Sequence, residues 1–148
     1  MHSDPSGSTD RIEKDIVINA TRERVWSTLV TFFWVDEGNL GTIDPKAGDR
    51  FVAHSAKEGS FPITIEKADH PSLLSYRWAS AQEGAEPGEG NSTLVEFTLT
   101  ERQDGSTLLH VVESGFASLP SAMAERAVSD NTYGWEEQLD ALKKSVEG

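Results

Sequence analysis

Apolar and polar residues alternate with period two in six stretches of the chain, and recur three or four apart in two others. In the first stretch, 12–19, Ile16 and Ile18 share a face, which predicts a strand. Thr21 then offers an N-cap oxygen, and Val25, Trp26, Leu29 and Val30 follow at helical spacing, so a helix is expected over about 22–31. Phe32, Phe33 and Trp34 extend the apolar run into a candidate second short helix, and 38–48 reads as loop. Five further strands are predicted. They span 50–55 (Phe51, Ala53), 61–68 (Phe61, Ile63, Ile65), 73–79 (Leu74, Tyr76, Trp78), 92–101 (Val95, Phe97, Leu99) and 107–114 (Leu109, Val111, Glu113).

Asp104-Gly105 between the last two strands is a hairpin turn signal. Residues 83–90 (EGAEPGEG) read as a flexible connection. From Pro120 to Val146 the period changes: Val128, Asn131, Trp135, Leu139, Leu142 and Val146 mark one face of a helix roughly 40 Å long at 1.5 Å per residue. Gly134 is its weak point, marking a break between two helices or a close approach to the sheet; a single helix, with a kink at most, is the favoured reading. Strands with one apolar face need a cover, and this helix is the only element large enough. The expected fold is α+β: a curved antiparallel sheet of about six strands wrapped round a long C-terminal helix. One or two short helices follow the first strand, and a mainly apolar cavity lies between sheet and long helix.

The chain has 148 residues, the size of one domain. Residues 1–10 read as a disordered tail without the basic and apolar regions of a signal peptide, and 11–148 as the domain. With no cysteine, disulfides and thiolate metal sites are excluded, which suits a cytoplasmic location. No run reaches the ~18 apolar residues of a membrane span. The formal charge of −12 disfavours nucleic acid and anionic membranes as partners.

Five short segments, in order, carry a family resemblance. They are Ala20-Thr21-Arg22-Glu23-Arg24-Val25-Trp26, Lys46-Ala47-Gly48-Asp49-Arg50-Phe51, Pro71-Ser72-Leu73-Leu74-Ser75-Tyr76-Arg77-Trp78, Glu113-Ser114-Gly115-Phe116, and Gly134-Trp135 with Leu139 and Leu142. Over about residues 11–147 the chain resembles the SRPBCC (START and birch-pollen-allergen-like) superfamily, in the branch named after the activator of heat-shock-protein-ninety ATPase. The resemblance implies the helix-grip form of the fold just described. The superfamily's functions include lipid binding, polyketide cyclisation, hydrolysis and co-chaperone activity, so it does not select one.

Glu113 alternates in phase with Leu109 and Val111, which points a carboxylate under the helix. Buried there, it would have a raised pKa suited to acid–base chemistry. The alternative places it at a strand end near solvent, bonded to Asn131 or a hydroxyl. Ile63, Ile65, Tyr76, Trp78, Phe97 and Val111 are expected to line the sheet side of the cavity. Asn131 and Trp135 would line the helix side, and Trp34 would stand at the mouth. Aromatic rings with polar tips suit an apolar ligand with a few hydrogen-bonding groups, though the same rings also serve as core.

The histidines, His2, His54, His70 and His110, show no metal-ligand spacing, and no cofactor motif is present. Leu94, Leu108 and Val112 fall on the outer sheet face, either as scattered apolar residues or as a weak dimer contact. The leading expectation is a small-molecule-binding protein without catalytic residues. One alternative is a cyclase or hydrolase using Glu113 with Tyr76 as hydrogen-bond donor; another is a co-chaperone-like stimulator of a heat-shock ATPase.

Overall fold

The computed structural model describes residues 11–32, 46–55, 59–79, 87–88, 90–116, 119 and 121–147, with the backbone alone at 31–32, 51–55, 59–60 and 121–123. The elements run β1 (Arg11–Ile18), α1 (Arg22–Phe32), β2 (Arg50–Ser55), β3 (Gly59–Asp69), β4 (Leu73–Trp78), β5 (Thr93–Glu101), β6 (Thr107–Ser114) and α2 (Ser121–Glu147). The six strands form one antiparallel sheet in the order β1-β6-β5-β4-β3-β2. The α+β helix-grip architecture expected from the periodicities is therefore the one found. The proposed helix at Phe33 and Trp34, most of the loop at 38–48, residues 80–86 and the tail lie outside the described residues.

Each element has a local cause. Helix α1 starts where Thr21 Oγ1 accepts from the Arg24 amide at 3.3 Å, an N-cap that satisfies an otherwise orphaned donor. The β5–β6 turn closes because Gly105 adopts a φ of +87°, a left-handed conformation that a side chain disfavours. Asp104 secures the same turn by accepting from the Ser106 amide (3.0 Å) and hydroxyl (2.5 Å). In β3 the register shifts between Ile65 and Lys67, a bulge of the kind that bends a strand.

Helix α2 runs unbroken through Gly134, and a Cβ built there would meet nothing within 4 Å. Neither a break nor a close approach accounts for this glycine. The helix backbone lies nearest to β1 and α1. Polar side chains pin it to the edge strand: Lys14 meets Glu136 at 2.9 Å, Lys143 donates to the Val17 carbonyl at 3.0 Å, and Glu147 accepts from the Asn19 amide at 2.8 Å. An edge strand presents unpaired backbone groups; these contacts occupy the Val17 carbonyl of β1 and the Asn19 amide just beyond its end. Towards β3, β4 and β5 the space under α2 is spanned by long side chains. Phe97 and Trp135 meet edge to face with ring centres 5.6 Å apart. Ile12, Ile18, Val25, Leu29, Ile63, Leu74, Leu109, Leu142 and Val146 complete a core shared by sheet and both helices.

Candidate functional site

Strand alternation brings a carboxylate into this interior. Thr107, Leu109, Val111 and Glu113 are the buried members of β6, each separated by a partly exposed neighbour. Glu113 is fully buried and pairs in register with Val95 of β5 and Ile12 of β1. Thr93 of β5 is the diagonal neighbour of Glu113, and Trp78 of β4, paired with Thr93 one strand further away, reaches the carboxylate across β5.

Four neutral side chains converge on the carboxylate. The Thr93 hydroxyl donates to Oε2 at 2.5 Å and the Trp78 indole N–H to the same oxygen at 2.9 Å. The Trp135 indole N–H donates to Oε1 at 2.8 Å. The Asn131 amide straddles both oxygens at 3.0 and 3.1 Å. A carboxylate offers about four lone-pair directions, and these donors fill them. None of the ion pairs among the described residues involves Glu113. Burial pushes its pKa up, and the bonds from Thr93, Trp135, Trp78 and Asn131 pull against that rise without cancelling it.

Aromatic rings surround the cluster. Tyr76 is buried and stands 6.0 Å from Trp78 and 6.1 Å from Phe97, centre to centre. Phe61 and Trp135 flank Trp78 at 5.8 and 6.3 Å. Burial, and secondarily the Glu113 charge, holds the Tyr76 phenol well above its ordinary value, so it stays protonated.

Burial changes along α2. Trp135, Leu139, Leu142 and Val146 are sealed, whereas one to three turns earlier Ala124, Val128 and Asn131 are only partly covered and Ala127 alone among these inward positions is buried. Trp78, opposite Asn131 across the carboxylate, is also partly covered. The interior is thus less completely covered beside Trp78 and Asn131 than under Trp135, Leu139, Leu142 and Val146.

The sequence-predicted residues divide accordingly. Tyr76, Trp78, Phe97, Glu113, Asn131 and Trp135 come together; Ile63, Ile65 and Val111 are buried in the adjoining core. Trp34 lies outside the described residues. Glu113 joins features of both expectations: it is inward and buried, yet bonded to Asn131 and a hydroxyl. Thr93 was not anticipated, although its alternation with Val95 and Phe97 signals an inward hydroxyl. On the outer face, His110 meets Glu13 at 2.8 Å. Leu94, Leu108 and Val112 are there too, partly covered; on β5, Glu96 lies opposite Val112 and Thr100 opposite Leu108, while on β1 the exposed Val17 lies opposite Leu108. Among the described residues, no group of three or more His, Asp or Glu side chains is placed to hold a metal, and no helix is long and apolar enough to cross a membrane.

The family described as Activator of Hsp90 ATPase homolog 1-like protein matches residues 19–147. Among solved structures, protein MLL2253 of Mesorhizobium loti is similar at 21% identity and a TM-score of 0.67, over 90% of this chain and 94% of that one. CalU16 of Micromonospora echinospora is similar at 21% identity and a TM-score of 0.66, over 93% and 74% of the two chains. The Aha1 dimer of Colwellia psychrerythraea gives 18% identity and a TM-score of 0.67, over 93% and 96%. At these identities the likeness is one of fold. No curated protein matches the chain.

Proposed function

The chain belongs to the family of activator of Hsp90 ATPase homolog 1-like proteins, and from that premise we propose that it binds a small, mainly apolar or aromatic molecule between the sheet and α2. The observation carrying this reading is the position of the Glu113 cluster at the partly exposed end of an aromatic-lined interior. A ligand entering beside Trp78 and Asn131 meets aromatic faces and a few fixed polar groups, the composition of small-molecule sites.

The saturation of the carboxylate favours binding over acid–base catalysis. A general base needs a free lone pair within reach of the proton it takes. The lone pairs of Glu113 already receive donors, two of them indole N–H groups. Tyr76, held protonated, can orient a ligand but does not supply a base.

The test is a screen of apolar and aromatic compounds followed through amide and indole N–H chemical shifts. Ligands are expected to move the indole resonances of Trp78 and Trp135 first. A broad library that leaves both unchanged overturns the reading. Stimulation of a heat-shock ATPase by the purified protein, with no such ligand, would instead favour the activity in the family's description.

A further inference from the structure

Building on the ligand-binding reading, we infer that the site selects a positively charged group without N–H donors, such as a quaternary ammonium on an apolar or aromatic ligand. Glu113 is a buried carboxylate whose charge, when it is ionised, is satisfied only by neutral dipoles, and none of the ion pairs of the described residues reaches it. Hydrogen bonds stabilise that charge but leave its field uncancelled. In an interior of low effective dielectric the field reaches past the first layer of atoms.

The same saturation dictates which cation fits. A primary ammonium seeks acceptors, and the lone pairs of Glu113 are taken. A quaternary ammonium asks for none; it needs negative potential and aromatic faces. Trp78 supplies the ring: it packs against Phe61, Tyr76 and Trp135, and the part of it left uncovered is where a cation would stand. The Trp78 indole N–H points at Oε2 at 2.9 Å while the residue remains partly exposed. A cation over that ring gains from the ring quadrupole and, one ring width away, from the carboxylate. Donation to an anion further polarises the ring towards a more negative face. Asn131 and Trp135 hold the carboxylate from the opposite side, so the charge cannot swing out to meet solvent.

The probes are phenyltrimethylammonium and its uncharged isostere tert-butylbenzene, titrated into the full chain and followed by the Trp78 and Trp135 indole N–H resonances. The cation is expected to bind about tenfold tighter, as a partly desolvated cation–π contact with a nearby charge predicts. The preference should persist at about 1 M NaCl, where a Debye length of about 3 Å screens the exposed carboxylates of this acidic chain. In Glu113→Gln the preference should fall to the about two- to fivefold that the ring alone supplies, since the charge is gone and the ring remains. The titration of the unaltered protein decides the matter if that variant does not fold.

Equal affinities, or a preference that vanishes in salt, overturn the cation selectivity while leaving the ligand-binding reading intact. If neither probe moves the indoles but neutral library compounds do, the selectivity again fails alone. If nothing moves them, both fail.

Discussion

Trp135 of α2 donates its indole N–H to Glu113 of β6 across 2.8 Å, and both side chains are buried. This bond couples the long helix to a central strand of the sheet. The indole can only donate, so removing the acceptor leaves it unsatisfied in the interior. Trp78 is in the same position on the sheet side.

Replacing Glu113 with Leu should therefore cost about 3–5 kcal/mol, because two indoles, a hydroxyl and an amide lose their common acceptor. Glu113→Gln keeps one oxygen but turns an amide N–H₂ towards donors, and should cost about 2–4 kcal/mol. Urea unfolding of the three proteins measures both. A loss under about 0.5 kcal/mol for Glu113→Leu would contradict the bonded cluster.

The pH dependence of that difference has a definite sign. Glu113 has a raised pKa in the folded state, so the folded chain holds this proton where the unfolded chain has lost it. Its contribution is complete below the ordinary carboxylate range and is lost as pH rises through the folded value. The stability of the unaltered protein relative to Glu113→Gln should thus improve on acidification from neutral pH. Glu147, lowered by its bonds from Lys143 and Asn19, works in the opposite sense but is common to both proteins and drops out. Paired unfolding curves from pH 7 down to about pH 4 check the slope.

Gly134 offers a gain in stability. The helix continues through it, its φ is not positive, and an added Cβ has open space. Gly134→Ala should stabilise the protein by about 0.5–1 kcal/mol, since alanine loses less backbone freedom in a helix interior. A lower melting temperature for the variant would mean that the glycine has a role the packing does not reveal.

The core makes a stronger demand. Phe97 is wholly buried and touches both Tyr76 and Trp135 by ring contacts. Phe97→Ala should cost about 3–5 kcal/mol through lost burial and the cavity left between sheet and helix. Denaturant titration measures the loss, and a binding site in the same region should lose ligand-induced indole shifts as well.

The contacts pinning α2 to β1 predict a local effect. Lys143 donates to the Val17 carbonyl and to Glu147, which in turn accepts from the Asn19 amide. In Glu147→Ala the Asn19 amide should exchange with solvent faster, while amides of β5 and β6 keep their protection. Uniform acceleration throughout the sheet would show that the contact is global in its effect.

The elements were legible because their causes are local. Alternation fixed which face of β5 and β6 turns inward, and Thr21 marked where α1 begins. That Glu113 points under the helix follows from the same period-two geometry. Its surroundings do not. Thr93, Trp78, Asn131 and Trp135 lie between 18 and 35 residues away in sequence. Their meeting depends on strand register and on the angle at which α2 crosses the sheet.

Residue order alone determined the class of fold and the acidic balance of the chain, and it left Glu113 between an inward carboxylate and one at a strand end near solvent. Whether that carboxylate is an open base or a closed acceptor was decided only by three-dimensional packing. The number of donors reaching an oxygen depends on distances between elements, and no spacing along the chain encodes them.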